Sequence, residues 1–109
     1  MSVQSSFSVL LDDTLRAIED AIDASGIDVD TQRSGPVLAL EFEDGSKIIV
    51  NGQEPLGELW VAARAGGFHF RHDGAAWHDS RGSGELFVCL SKWVSAQADA
   101  PVRLAPQRT

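Results

Sequence analysis

Residues 37–72 read VLALEFEDGSKIIVNGQEPLGELWVAARAGGFHFRH, and the architecture can be worked out from this stretch. Short apolar runs alternate with dipeptides suited to tight turns. Val37 to Phe42 is followed by Asp44-Gly45, Lys47 to Val50 by Asn51-Gly52, Leu59 to Ala63 by Gly66-Gly67, and Phe68 to His72 by Asp73-Gly74. Runs of this length suit strands and are too short for helices. Glycine next to Asp, Asn or another Gly tolerates positive φ, so the connections predict hairpins and the hairpins an antiparallel sheet. Ile27 to Arg33 upstream and Ala75 to Trp77 downstream extend the meander to about six strands.

Helical periodicity brackets this meander. Phe7, Leu11, Leu15, Ile18 and Ile22 form the apolar stripe of an amphipathic helix from about Ser5 to Ala24, ended by Ser25-Gly26. Beyond Gly82-Ser83-Gly84, the residues Leu86, Cys89, Leu90, Trp93 and Val94 repeat at helical spacing, with Ser83 as the expected N-cap and Pro101 closing the helix. Val102-Arg103-Leu104 is expected to lie extended against the core. Two helices and one sheet, each with a single apolar face, bury those faces best as an α+β fold: a two-layer α/β sandwich with both helices on one side of the sheet. A single domain over residues 1–105 is expected, with a loose tail at 106–109.

The composition excludes several roles. One cysteine, Cys89, can close no intrachain disulfide and cannot alone hold an iron–sulfur cluster. No run approaches the ~20 apolar residues of a membrane span, and Met1 to Ser6 lacks the basic start of a signal peptide, so a cytoplasmic protein is expected. The net charge of −7 disfavours nucleic acid and anionic membranes as partners. This charge is concentrated: residues 1–44 carry ten acids against two bases. On the first helix Asp12, Glu19 and Asp23 fall together, flanked by Asp13 and Asp20, opposite the apolar stripe. Such a stripe is either solvated surface or a face for hard cations and basic proteins.

The other reactive residues read more plainly. His69 and His72 stand three apart on a strand, point to opposite faces, and so make a poor zinc pair. With Phe68 and Phe70 inward, His69 is outward. Cys89 lies on an apolar stripe and reads as a small buried hydrophobe, and Trp77 and Trp93 read as packing residues. Trp60 alternates with Leu59 and Val61, which places it on the uncovered face of the sheet, where an exposed tryptophan suits an interface. No Ser-His-Asp or Cys-His arrangement is evident, and no enzyme is expected.

Asn51-Gly52-Gln53-Glu54-Pro55-Leu56, followed by Leu59-Trp60-Val61-Ala62 and Gly66-Gly67-Phe68-His69-Phe70, resembles the bacterial frataxins. The likeness is carried by Asn51, Gln53, Pro55 and Trp60, together with the acidic first helix and the order of elements. It implies an iron-binding protein that docks on the cysteine desulfurase and scaffold of iron–sulfur cluster assembly and modulates that process, as a regulator or an iron donor. It further implies weakly bound iron, Fe²⁺ or Fe³⁺, on Asp12, Glu19, Asp20, Asp23, Asp28 and Asp30, and partner contacts through Glu19, Asp20, Asp23, Asn51, Gln53 and Trp60. The chain departs from the family pattern at Ala24-Ser25-Gly26-Ile27 and at Gln32, where acids are frequent. A monomer is expected; the alternative is an oligomer that oxidises or stores iron.

Overall fold

A computed structural model describes residues 6–106. Helix α1 (Ser6–Ser25) leads into six strands, β1 (Val29–Ser34), β2 (Val37–Phe42), β3 (Lys47–Gln53), β4 (Glu58–Ala63), β5 (Gly66–His72) and β6 (Trp77–Asp79), and helix α2 (Leu86–Ala98) follows. The strands lie side by side in chain order, each antiparallel to the next. Sheet residues Leu38, Leu40, Ile48, Val50, Leu59, Val61 and Phe70 form one core with Leu11, Leu15, Ile18 and Ile22 of α1 and with Leu86, Leu90, Trp93 and Val94 of α2. Both helices therefore cover the same sheet face, as the two-layer α+β reading expects. Among the described residues no helix is long and apolar enough to cross a membrane. The expected helix start at Ser5, and Gln107 to Thr109 of the expected loose tail, lie outside the described residues; Pro106 is exposed.

Several boundaries differ from the sequence reading. Asn51-Gly52 is no turn but part of β3, with Asn51 opposite Trp60 and Gly52 opposite Leu59. The glycine is needed for a different reason: a Cβ at Gly52 would collide with the side chain of Leu11, its Cγ only 2.9 Å away. The reversal comes later, in a 3-10 turn at Glu54–Leu56 ended by Gly57 at φ 64°. Gly66 and Gly67 likewise belong to β5, and Arg64-Ala65 makes the turn. β1 starts two residues later than expected, at Val29, although Ile27 still packs on the core. β6 is displaced to Trp77–Asp79 because the Asp73 carboxylate accepts from the Ala75 and Ala76 amides, at 2.9 Å each, and holds that segment as a loop.

Helix α2 is capped not by Ser83 but by Glu85, whose carboxylate accepts from the Phe87 and Val88 amides at 2.9 and 3.1 Å. Ser83 instead donates its amide to Asp79. At the other end Asp99, in the left-handed conformation at φ 54°, terminates the helix two residues before Pro101. The segment after Pro101 packs against α2. Ser95 Oγ exchanges hydrogen bonds with the Val102 N–H and C=O, both 2.9 Å, and Ser91 Oγ accepts from Leu104 N–H at 2.7 Å. Leu104 is buried.

Two polar side chains that the sequence reading did not single out tie the layers together, and Asp44 links two turns of the sheet. Thr14 is buried on α1, donates to Leu10 C=O at 2.7 Å and accepts from Trp77 Nε1–H at 2.9 Å. Gln97, buried on α2, accepts from the Arg64 amide at 2.9 Å and donates to Ser46 Oγ and Lys47 C=O. Asp44 accepts from the Ser46 amide and hydroxyl and pairs with Arg64 at 2.6 Å. The Ser46 and Arg64 bonds hold the Asp44 carboxyl well below the usual carboxylate range, at about 2.

Candidate functional site: an acidic helix face and an open sheet face

The acids of α1 divide into two groups. Asp12 sits between two arginines, with Arg33 Nη2 at 2.6 Å and Arg16 Nη2 at 3.0 Å. Arg33 reaches it because odd-numbered residues of β1 face the helices: Val29, Thr31 and Arg33 oppose Phe42, Leu40 and Leu38. The Arg33 bond keeps the Asp12 carboxyl below its ordinary value. Glu19 is half-buried, while Asp20 and Asp23 are exposed. Among the described residues no basic side chain pairs with these three or with the exposed Asp13, so most of the unopposed negative charge lies on the second half of the helix.

Asp28 and Asp30 lie elsewhere. Asp30 opposes Glu41 and lines a shallow hollow on the uncovered face of the sheet with Gln32, Ala39, Glu41 and Lys47. Asp28 adjoins Glu43, whose carboxyl is pushed up by a hydrogen bond shared with Asp28 and by the neighbouring charge. The pair stands at a cleft of about 660 Å³ between the start of β1, the β2–β3 turn and the end of α2, where Asp44, Asp99 and Arg64 also face in. Within the described residues, no three His, Cys, Asp or Glu side chains are grouped so as to hold one metal ion. Carboxylates spread in this way offer oxygen donors to hard cations without forming a cage.

The open face of the sheet has its own order, set by the strand register. One cross-strand row runs Ser34, Val37, Asn51, Trp60, His69, and the next runs Gln53, Glu58, Arg71, His78. A third row, Ala39, Ile49, Ala62, Gly67, is apolar and low. Trp60 stands at the edge of this low ground, half-buried, beside a hollow of about 190 Å³ lined by Ile49, Asn51, Ala62, Gly67 and His69. Its indole stacks on the outward imidazole of His69, centroids 4.5 Å apart and planes within 8°. Asn51 and Gln53, both half-buried, share this face. Sequence reasoning missed Glu58, which takes the Trp60 indole N–H at 2.8 Å and the Arg71 guanidinium at 2.9 Å. The expected strand began at Leu59 and left Glu58 out; the register places it on the open face beside Trp60, and nothing in the sequence revealed these partners.

The remaining histidine and tryptophan side chains and the cysteine lie apart from this face or at its margin. His72 turns towards the helix layer and meets Trp77 edge-on, while His78 pairs with Asp73 at 3.1 Å on the surface. Cys89 is buried, and burial pushes its thiol up. Trp93 stacks on Phe68 at 4.2 Å, and Trp77 is buried.

The chain as a whole has counterparts among known proteins. The family model of the frataxin-like domain matches residues 2–100. The iron-sulfur cluster assembly protein CyaY of Cupriavidus metallidurans is 58% identical over 97 residues, covering 89% of this chain and 87% of that one. CyaY of Cupriavidus taiwanensis is 58% identical over 90 residues, covering 83% of this chain and 81% of its own. A solved frataxin from Psychromonas ingrahamii superposes with a TM-score of 0.84 at 35% identity, over 91% of this chain and 94% of that one. With the α+β sandwich, the acidic helix and the Trp60 strand all in the expected order, the chain belongs to the frataxin-like family.

Proposed function

We propose that this protein serves iron–sulfur cluster assembly by docking on the cysteine desulfurase and its scaffold, with iron as its weakly held cargo. It acts as a regulator or iron donor and not as an enzyme. Family membership supports the pathway. The observation that carries the docking reading is the pairing of two adhesive surfaces of different range. The unopposed carboxylates of Glu19, Asp20 and Asp23 attract a basic partner over a distance, and the Trp60 face with Asn51 and Gln53 binds at contact. Iron, Fe²⁺ or Fe³⁺, is drawn to the same carboxylates and to Asp12, Asp28 and Asp30. The lack of a grouped ligand set among the described residues accords with weak binding.

The test is sulfide production by a purified bacterial cysteine desulfurase with its scaffold, with and without this protein, over a range of iron concentrations. A rate that changes on addition and responds to iron is expected. Reversing Glu19, Asp20 and Asp23 to Lys should abolish the effect, and added salt should weaken the parent complex. A desulfurase rate indifferent to the protein at every iron concentration would sink the proposal.

A further inference from the structure

We propose that Glu58 is the positioning residue of the Trp60 docking surface, its carboxylate anchored by Arg71 and fixing the direction of the indole before a partner arrives. This deepens the docking reading and rests on it. Glu58 is the most deeply placed acid on the uncovered side of the sheet, 9% exposed although no helix covers it. A carboxylate held this far from water needs compensating bonds. The bonds it has all lie on the open face: Oε1 accepts from Trp60 Nε1–H at 2.8 Å, Oε2 pairs with Arg71 Nη2 at 2.9 Å, and His69 Nδ1 stands 3.8 Å from Oε1.

Two independent constraints thereby act on one indole. Stacking on His69 fixes the plane of the ring, at 8° to the imidazole. Stacking alone leaves the ring free to turn within that plane, and the Nε1–Glu58 bond fixes its heading. Both supports belong to the same rigid ladder, since Trp60 opposes His69 and Glu58 opposes Arg71 in adjacent rows of β4 and β5. A tryptophan on an open strand face otherwise samples several rotamers, and a partner must select one of them. Here that selection is made in the free protein.

The experiment reads the three indole N–H signals by ¹H–¹⁵N NMR, with Trp60 identified by its absence in Trp60→Phe, alongside binding to the desulfurase–scaffold complex. Glu58→Gln keeps one acceptor oxygen for the indole but loses the Arg71 ion pair, so its Trp60 signal and affinity should stay closer to the parent than those of Glu58→Met. Glu58→Met removes the acceptor. It should shift and broaden the Trp60 indole signal, leave those of Trp77 and Trp93 in place, and weaken binding about fivefold or more. Arg71→Met, which leaves the carboxylate unanchored, should give a smaller change in the same direction. If Glu58→Met fails to fold, Arg71→Met decides: an unmoved Trp60 signal or unchanged affinity would overturn the inference.

Two further results count against positioning. One is parent-like binding by Glu58→Met while Trp60→Ala binds weakly, which removes the positioning role and leaves the docking reading intact. The other is an undisturbed indole signal in Glu58→Gln with affinity lost as in Glu58→Met, which makes Glu58 a direct contact. Should Trp60→Ala bind as tightly as the parent, the docking reading fails, and the positioning role with it.

Discussion

Leu59 and Trp60 are adjacent on β4 and face opposite layers. On the helix side Leu59 is fully buried among Leu, Ile, Val and Phe side chains, where shape and volume decide the energy. On the open side Trp60 is held laterally, by a stack and a hydrogen bond from its neighbours in the sheet. The difference teaches that one strand carries two separable functions: the inward residues supply stability, and the outward ones present a preset surface.

The comparison can be broken by substitution, starting where the effect is largest. Leu59→Ala should cost ~2–5 kcal/mol of folding stability in urea denaturation and leave the affinity of the folded fraction unchanged. Trp60→Ala should do the converse. It should lower affinity for the desulfurase–scaffold complex by ~2 kcal/mol, at a folding cost of less than about 1 kcal/mol. A Trp60→Ala protein that lost stability as Leu59→Ala does, with affinity intact, would erase the distinction between the faces.

Charge should give smaller effects. Asp23→Asn relieves repulsion from Glu19 and Asp20, its neighbours at helical spacing, so the melting temperature should rise slightly in low salt and the gain should fade as salt is added. A lower melting temperature at every salt concentration would make Asp23 a structural residue. Asp44 gives the smallest effect. Its carboxyl is lowered from 3.8 to about 2 in the folded protein, so its contribution is full above the unfolded value and is lost as pH falls from 3.8 towards 2. Asp44→Asn should remove that contribution at neutral pH and flatten the stability profile in that window, so that parent and variant converge as pH falls towards 2. Urea titrations at several acid pH values check this.

What the sequence made legible follows the same division. The inward face could be read because apolar periodicity survives in one dimension: the stripes of α1 and α2 and the alternation around Leu59 all appear in the buried core. Trp60's place on the open face was legible for the same reason. Its partner was not, because register depends on which residues turn. Had Gly66-Gly67 formed the tip, Trp60 would have faced Asp73; with Arg64-Ala65 as the tip it faces His69. Asn51-Gly52 misled because a glycine required by a contact between layers looks, in sequence, like a glycine required by a turn. Thr14, Glu58 and Gln97 resemble ordinary solvent-facing residues until their distant partners are known. The split among the acids was hidden too, since only the fold brings Arg33 to Asp12 and leaves Glu19, Asp20 and Asp23 unopposed.

The segment after Pro101 belongs to no helix or strand, yet the Val102 and Leu104 amides donate to the hydroxyls of Ser95 and Ser91. Amide protons held by side chains of α2 can exchange with solvent only when that segment lifts off or α2 itself opens. Their deuterium uptake should therefore be slow for residues in irregular backbone. Replacing Ser91 and Ser95 with Ala would release both amides while leaving the helix ladder whole, so these two positions offer a local gauge of when the last layer of the sandwich comes loose.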